Sequence, residues 1–411
     1  KHIANPVLTR DTVFANLSND IIAISDPWVI KEGAVFKMWY TCGGINYPTD
    51  EELRSRICYC ESNNGKDWVK YAGNPVLDVD YSGGWDSLGV ETVSIIIDNS
   101  APSNERYKMW YSGQYFNDYR YDFGYAVSPD GKNWTKHPGT VMEVGSAADW
   151  DGGFIEGSSV IKDGSIYKMW YAGYDLMSGH VNIGYATSSN GVIWSKYIGN
   201  PVLTTTAMAW DSIYVQDPHV MKVGNSYHMW YGGVDQPDFY GQQTGYAFSL
   251  DGINWTKSSS NPILLNGNAG DWDDNTASFP SVIFDSDTLK MWYTGKDVEP
   301  LPTNSPDYYW EIGYATDMTS VLEILAIENV KEISISPNPF QGKLIVKSDI
   351  ALNNSKVVLF DNSGKEVLRE INLNGNEVEL DTQALENGKY FIFVLEKEEV
   401  LFSEKIVFIR N

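Results

Sequence analysis

The chain has 411 residues, enough for one large β domain and a second, smaller one, and 14 % of its residues are aromatic, a content common among proteins that bind sugars. The formal net charge of −24 would repel a nucleic-acid backbone, so no nucleic-acid partner is expected. No apolar run approaches the roughly 18 residues that a membrane-spanning helix needs, so no membrane-spanning segment is expected either.

One aromatic strand recurs five times over the first three quarters of the chain. Its Met-Trp-Tyr triplets recur at intervals of roughly 60 to 70 residues and begin at Met38, Met109, Met169, Met229 and Met291. The repeats share an Asn-Pro-Val-Leu or Asn-Pro-Ile-Leu segment, a Trp-Asp pair, a short apolar strand, the Met-Trp-Tyr strand and a Gly-Tyr strand. We interpret the Asn-Pro segments and the Trp-Asp pairs as structural elements.

Four short strands per repeat, with alternating aromatic residues and Gly/Asp turns, indicate an antiparallel sheet. One such sheet cannot bury both of its faces, whereas five sheets stacked radially can. The period therefore predicts a five-bladed β-propeller over about residues 1–325. A β-solenoid is the alternative, but solenoids usually have a shorter period and give little reason for four distinct strands in each repeat.

The three cysteines, Cys42, Cys58 and Cys60, all lie in the first repeat. Cys42 and Cys58 replace small residues on strands that are expected to be neighbours, so we predict a cross-strand disulfide formed in an oxidising compartment. Pairing of Cys42 with Cys58 is favoured over pairing with Cys60, and the remaining cysteine is expected to be buried. A metal site is disfavoured because no His accompanies the three.

Four repeats place a carboxylate just before the first strand of the blade, which lines the central channel of a propeller. These residues are Asp26, Glu91, Glu156 and Asp217. The fifth repeat departs from the pattern, with Ser278 and Phe279 at the equivalent place. Crowded carboxylates on one axis raise at least one pKa. As an alternative, the acids accept backbone N–H bonds or hold a structural Ca²⁺ in the channel; no other cofactor is expected.

The long loops between second and third strands return to the same end of the channel and bring aromatic side chains to it. These are Tyr47, Tyr115, Phe116, Tyr119, Tyr121, Phe239, Tyr240, Tyr308, Tyr309 and Trp310. Acids ringed by aromatic residues are the composition of a sugar-binding cleft. We therefore predict the substrate contacts Asp217, His219, Tyr115, Tyr240 and Trp310. A packed histidine is the alternative for His219.

The repeats end after Thr316, and alternating apolar segments predict a small β-sandwich over residues 330–411. The stretches SPNPF, LFDNSGKEV, DTQALENGKYFIFV and KIVFI closely resemble the C-terminal sorting domain of bacterial type IX secretion. This resemblance implies that the type IX machinery is a partner and that the protein is secreted or attached to the outer-membrane surface. An ordinary appended sandwich is the alternative.

The propeller also resembles a known group of enzymes. SDPWVIKEGAVFKMWYT and FIEGSSVIKDGSIYKMWYAG are similar to the blade-one and blade-three acid segments of glycoside hydrolase family 43, and the five blades resemble those of families 43, 32 and 117. The resemblance implies that Asp26 is the general base, or the nucleophile in a retaining relative, and that Glu156 is the general acid. Glu91, where the family has Asp, would orient the acid and keep its pKa raised.

Two functions of different classes follow from these patterns. The first is a secreted, monomeric glycoside hydrolase acting on a plant or algal polysaccharide or oligosaccharide through the channel carboxylates. The second is a catalytically silent propeller that binds glycan at the cell surface. Carboxyl groups of Asp26 and Glu156 that face one open pocket favour hydrolysis, whereas a channel plugged by Phe279 favours binding.

Overall fold

The computed structural model describes residues 1–10, 23–44, 54–115, 120–224, 226–236, 241–285, 288–297, 310–317, 333–361, 365–396 and 399–409. Within these ranges the structure is almost entirely β, and its helical content is one 3₁₀ turn at Ser103–Glu105. The chain forms two compact units, one made by the repeats and one by the C-terminal strands. The boundary predicted between residues 325 and 330 lies outside the described residues and stays a prediction.

The repeats form a five-bladed propeller, as the sequence predicts. Blade one contains β1 (Ala23–Glu32), β2 (Val35–Gly44), β3 (Arg54–Ser62) and β4 (Val69–Lys70). Blade two contains β5 (Gly89–Ile97), β6 (Tyr107–Gln114), β7 (Tyr121–Ser128) and β8 (Thr135–Lys136), and blade three β9 (Ile155–Asp163), β10 (Ile166–Tyr174), β11 (Val181–Ser188) and β12 (Ser195–Lys196). Blade four contains β13 (Tyr214–Val223), β14 (Ser226–Val234), β15 (Gln243–Ser249) and β16 (Thr256–Lys257), and blade five β17 (Thr276–Asp285), β18 (Thr288–Lys296) and β19 (Trp310–Asp317).

In blades one, two, three and five, the tryptophan of the Met-Trp-Tyr strand joins the blade to the next one. Trp39 of blade one is fully buried, and its indole N–H donates to the carbonyl of Gly131, a turn residue of blade two, at 2.7 Å. Gly131 has φ +79° and a Cβ there would lie 2.7 Å from the Trp39 ring, so only glycine fits. The same bond joins Trp110 to Gly191, Trp170 to Gly252 and Trp292 to Gly65. The recurring aromatic strand is therefore the inter-blade contact of the propeller.

The aspartate of each Trp-Asp pair is buried inside its own blade. Asp86 accepts hydrogen bonds from the Tyr111 hydroxyl at 3.1 Å and from Lys136 at 2.6 Å. Blades three and four repeat this arrangement with Asp151, Tyr171 and Lys196, and with Asp211, Tyr231 and Lys257. These carboxylates thus hold the second and fourth strands of a blade together, which is a structural role.

The N-terminal segment completes blade five and closes the ring. Lys1 pairs with the buried Asp273 at 2.8 Å, in the place that a fourth-strand lysine takes in blades two to four. The Asn5 side chain donates to the Tyr293 hydroxyl and to the Tyr314 carbonyl, both at 3.0 Å, and it accepts from the Tyr314 N–H. Leu8 bridges Ile312 of β19, as Leu203 bridges Ile183 in blade three. The N-terminal segment and the strands of blade five, about 300 residues apart in sequence, therefore share one sheet.

Blade one carries the predicted disulfide, which joins Cys42 of β2 to Cys58 of β3 across a separation of 16 residues. Cys60 is a free thiol and is buried. The prediction of the pair, and the preference for Cys58 over Cys60, are therefore confirmed.

We expect removal of the disulfide by the double change Cys42→Ala and Cys58→Ala to lower the free energy of unfolding by about 3 kcal/mol, the value for a loop of this length. Denaturant titration of oxidised wild type and of the variant measures the difference. In native wild type, Cys60 should stay unreactive towards a thiol reagent until the propeller unfolds. Rapid labelling of three thiols in the native exported protein would contradict the pairing.

The C-terminal strands form a small unit with its own core. They are β20 (Ile333–Gln341), β21 (Lys343–Asp361), β22 (Glu366–Asp381), β23 (Gly388–Glu396) and β24 (Glu399–Phe408). The long β21 pairs with β20 near its start and with β23 near its end, while β24 pairs with both β20 and β23. The sheet thus closes on itself around buried residues such as Phe340, Val357 and Ile392. The predicted small C-terminal β domain is therefore confirmed, with its strands in one sheet that closes on itself.

Candidate active site

The first strand of every blade carries a residue in the left-handed backbone region. The five residues are Asp26 (φ 51°), Thr92 (φ 49°), Gly157 (φ 56°), Asp217 (φ 50°) and Phe279 (φ 54°). In β1, β5 and β9 the ladder with the second strand shifts register at this residue, so it forms a β-bulge. All five left-handed residues line one narrow cavity in the channel.

The channel acids occupy two different positions on these bulges. Asp26 and Asp217 are themselves the left-handed residues, whereas Glu91 and Glu156 come one residue earlier, before Thr92 and Gly157. The sequence pattern predicts four equivalent acids just before the first strands. The structure instead places them within these strands, and Glu91 and Glu156 lie one residue earlier on their strands than Asp26 and Asp217 do on theirs. Every blade has the left-handed residue, so the offset arises because the acid occupies that position in blades one and four and the position before it in blades two and three.

Three of the predicted acids face one open cavity of about 390 Å³ at the channel mouth. Its described lining residues are Ala23, Ser25, Asp26, Thr41, Gly43, Arg54, Ser55, Leu88, Glu91, Gln114, Glu156, Phe279 and Trp310. The structure therefore brings the predicted catalytic residues together with the predicted Trp310. The rings of Trp310 and Phe279 pack edge to face with centroids 6.0 Å apart and make the aromatic part of the wall.

The other predicted substrate contacts lie in different places. Asp217 lines the narrow part of the channel, and a Cβ on Gly157 would lie 2.5 Å from its Oδ1. His219 is buried against Trp28, with ring centroids 4.7 Å apart, and burial lowers its pKa to about 4. This environment is that of the packed-histidine alternative.

Tyr115 is not among the described residues that line the cavity. The Tyr115 hydroxyl donates to Asp122 at 3.2 Å, and its ring packs 6.5 Å from Trp85. Tyr240 lies outside the described residues. Their role in substrate binding stays a prediction.

The protein around the cavity raises the pKa values of Asp26 and Glu91. Burial raises the pKa of Asp26 to about 6, and hydrogen bonds from the Thr41 and Ser25 hydroxyls limit this rise. Burial, followed by repulsion from Asp26, raises the pKa of Glu91, and hydrogen bonds from Tyr121 and Ser55 oppose the rise. Asp26 therefore titrates within the range in which secreted enzymes work.

The surroundings of Glu156 favour its protonated form. Burial raises its pKa well above the ordinary value, and repulsion from Glu91, Asp217 and Asp26 raises it further. Burial and repulsion from Asp26 also raise the pKa of Asp217. The cavity thus combines Glu156, whose protonated form is favoured, with Asp26, whose ionised form accepts hydrogen bonds from Thr41 and Ser25.

Sequence reasoning placed Tyr121 at this end of the channel but missed the hydroxyl residues Thr41, Thr294 and Ser55, which also hold these acids. Thr41 and Thr294 follow the Met-Trp-Tyr triplets of blades one and five; the first bonds to Asp26, and the second accepts the Asp26 N–H at 2.9 Å. Ser55 and Tyr121 bond to Glu91. The hydroxyl after Met-Trp-Tyr was a signal in the sequence, since blades three and four have Ala172 and Gly232 there.

A metal ion in the channel finds little support in the donor set. Among the described residues, no group of three or more His, Cys, Asp or Glu side chains is arranged to hold a metal ion. Asp217 Oδ2 is buried without a hydrogen-bond partner within the described part of the chain, but one carboxylate with a buried neutral histidine nearby is a poor match for the six to eight oxygen ligands of Ca²⁺.

The raised pKa of Asp26 predicts a pH-dependent gain in stability for Asp26→Asn. Wild type loses stability as pH rises from the ordinary pKa of Asp, near 4, through about 6, because the buried carboxyl must ionise. The variant has no such charge, so relative to wild type it should gain about 2 to 3 kcal/mol between pH 4 and pH 7. Denaturant titrations at both pH values measure this gain, and a difference that does not vary with pH would contradict the raised pKa.

The propeller is similar to solved structures of glycoside hydrolases. A thermostable family-43 glycoside hydrolase is 20 % identical with a TM-score of 0.54, and the match covers 71 % of this chain and 89 % of that one. A glycosyl hydrolase from Bacteroides ovatus is 16 % identical with a TM-score of 0.56, covering 76 % and 92 %. A structure of the GH130 family, which contains glycoside hydrolases that target β-1,2 mannosidic linkages in Candida mannan, is 17 % identical with a TM-score of 0.55, covering 76 % and 92 %. The repeats therefore have the fold of the glycoside hydrolase propellers.

The C-terminal unit matches a family of its own. Residues 334–409 match the secretion system C-terminal sorting domain, which confirms the resemblance read from the sequence and indicates a protein that is secreted or attached to the outer-membrane surface. No described helix is long and apolar enough to cross a membrane. Two uncharacterized proteins from strains of Mycobacterium tuberculosis are each 24 % identical over 163 residues, which is 38 % of this chain. The chain spans about half the length of these curated relatives, 52 %.

Proposed function

We propose that the protein is a secreted glycoside hydrolase that acts, as a monomer, on a plant or algal polysaccharide or oligosaccharide. The observation that carries the proposal is the cavity in which Asp26, Glu91 and Glu156 meet, all with raised pKa values. Glycoside hydrolysis needs one carboxyl that donates a proton to the leaving oxygen and another that is ionised. The similarity to glycoside hydrolase folds supports the proposal as analogy only.

The environment of each carboxyl suggests its role. Glu156 is the general acid, because burial and three neighbouring acids keep it protonated. Asp26 is the general base or nucleophile, because hydrogen bonds from Thr41 and Ser25 stabilise its ionised form. Glu91 raises the pKa of Glu156 by repulsion, and Ser55 and Tyr121 fix its orientation.

The aromatic wall supports a sugar as the ligand. Trp310 and Phe279 present apolar rings at the cavity, and the carboxyl, hydroxyl and amide groups opposite them can bond to the hydroxyls of a sugar ring. Phe279 forms part of this wall while the cavity stays open, which does not favour the silent-propeller alternative.

The test is an activity screen of the full chain on a panel of plant and algal glycans, with product sugars separated by chromatography. We expect release of sugars from at least one glycan, and loss of this release in the double variant Asp26→Asn, Glu156→Gln. Binding of a glycan with no turnover over prolonged incubation would instead favour the glycan-binding propeller.

A further inference from the structure

We infer that an aromatic pair, Phe154 and Tyr174, forms a second sugar subsite, which binds the sugar residue on the leaving-group side of the glycosidic bond. This inference rests on the proposed function and adds a binding site for the same glycan. Both rings are partly exposed, and neither is among the described residues that line the cavity. The pair therefore offers aromatic surface that the proposed reaction has not yet used.

The repeat places the aromatic pair at the channel mouth. Phe154 and Tyr174 face each other in blade three, where the Tyr174 N–H donates to the Phe154 carbonyl at 3.0 Å. The equivalent pairs of positions are Ala23 and Gly43 in blade one and Gly89 and Gln114 in blade two. Of these four residues, Ala23, Gly43 and Gln114 line the cavity. Blade three therefore has two large rings at the level where blades one and two leave the cavity open.

The pair continues the binding surface past the proposed general acid. Phe154 comes two residues before Glu156, so both side chains project from the same face of the strand, about 7 Å apart along it. The Tyr121 hydroxyl bonds to Glu91, and the Tyr121 ring packs edge to face on Phe154 with centroids 6.3 Å apart. A sugar residue joined to the oxygen that Glu156 protonates would therefore lie against Phe154.

The two rings form a flat apolar surface. Their planes differ by 8° and their centroids lie 5.2 Å apart, an offset stack in which each ring leaves part of its face uncovered. Both rings pack against a buried cluster that includes Val181 and Val234. A Cβ on Gly153 would lie 2.5 Å from the Tyr174 ring, so the glycine lets this ring lie close to the backbone. Such a surface suits the apolar face of a sugar ring.

The loop that follows Tyr174 is ordered by its own hydrogen bonds. Asp175 accepts from the Met177 N–H and from the Ser178 hydroxyl, both at 2.8 Å, and its own N–H donates to the His180 carbonyl at 2.9 Å. Leu176 in this loop is half exposed and adds apolar surface beside the pair. The subsite is therefore formed before a ligand arrives, which lowers the entropic cost of binding.

A tyrosine contact elsewhere in blade three shows the structural alternative. Tyr197, which follows β12, packs edge to face on Tyr185 with ring centroids 6.3 Å apart, and blade one repeats this contact with Tyr71 and Tyr59 at 6.2 Å. A contact that recurs between blades supports the blade itself. No other blade has aromatic residues at both positions of the pair. The repeat alone therefore does not explain the pair.

The experiment measures sugar binding to the full chain carrying Glu156→Gln, which prevents turnover, by calorimetry and ligand-detected NMR. The probes are cellobiose, laminaribiose, galactobiose, mannobiose, xylobiose and arabinobiose, each compared with the methyl glycoside of its non-reducing sugar. We expect at least one disaccharide to bind about tenfold more tightly than its methyl glycoside, because only the disaccharide reaches the aromatic pair.

Phe154→Ala and Tyr174→Ala, each added to this parent variant, should reduce the gain to about twofold or less and leave the affinity for the methyl glycoside within about twofold. Phe154→Leu keeps most of the apolar volume but has no flat ring, so it should show the same loss with a melting temperature near that of the parent. Tyr197→Ala removes a partly exposed tyrosine from the same blade and should keep the gain.

Two results overturn the inference: absence of the gain across the whole panel, or a gain that survives in Phe154→Leu or in Tyr174→Ala. If wild type hydrolyses glycans in either case, the proposed function stands without the subsite. If the chain neither binds nor hydrolyses any sugar, both are overturned.

Discussion

Replacing Glu156 with Gln is expected to cut turnover of an unactivated glycan by at least about a hundredfold, because the general acid is lost. Gln has nearly the same shape and can still hydrogen-bond, but it has no proton to donate to the leaving oxygen. An aryl glycoside with a good leaving group needs little protonation and should be hydrolysed at a rate much closer to wild type. Comparison of kcat on the two substrates measures the effect.

The matched control for this variant is Glu143→Gln, the same change at an exposed carboxyl outside the cavity. It should leave turnover of both substrates unchanged. Asp26→Asn should slow both substrates, because the base or nucleophile is needed whatever the leaving group. Equal turnover of the unactivated glycan by wild type and Glu156→Gln would refute the role of Glu156 as acid.

Removal of residues Lys1–Leu8 should destabilise the propeller more than any point change considered above. The deletion exposes the surface covered by Leu8, removes three hydrogen bonds of Asn5 and leaves the buried Asp273 without its lysine. A buried leucine contributes about 2 to 3 kcal/mol and a buried charge that loses its partner costs about 3 to 5 kcal/mol. The melting temperature of the propeller should therefore fall by at least about 10 °C, as measured by calorimetry.

Point variants separate ring closure from ordinary packing. Asn74 makes the same bonds to Tyr59 within blade one that Asn5 makes to Tyr314 in blade five. If residues 1–10 serve only as the missing strand of blade five, Asn5→Ala and Asn74→Ala should lower the melting temperature by similar amounts. A deletion that leaves the melting temperature unchanged would mean that blade five is stable without this segment.

The repeated strand made the propeller predictable from sequence. The Met-Trp-Tyr triplets, the turn glycines and the cysteines of blade one each have a local pattern, and Trp39, Gly131 and the pair Cys42–Cys58 take the roles that their patterns indicate. The N-terminal segment was not assigned to blade five, because its partners lie about 300 residues away, although its Asn-Pro-Val-Leu motif is the one that follows the fourth strand in blades one and three.

The cavity was less predictable, because it depends on contacts between blades. Asp26, Glu91 and Glu156 were found from their repeat positions, but the one-residue offset of the two glutamates from the position of Asp26 was not. Ser55 and Thr41 gain their importance only when β2 and β3 approach the channel beside β5. For Tyr115, the position in a long loop predicted a contact with the substrate, but in the structure its hydroxyl donates to Asp122.

The left-handed residues on the first strands of the five blades have a consequence for laboratory evolution. Four of them are not glycine, and each such residue costs about 1 to 2 kcal/mol of backbone strain. Selection of the protein for heat tolerance alone would therefore tend to accept glycine at 26, 92, 217 and 279, as blade three already has at Gly157. Each replacement would remove one side chain from the channel. Variants with greater heat tolerance would therefore retain fewer of the side chains that line the channel.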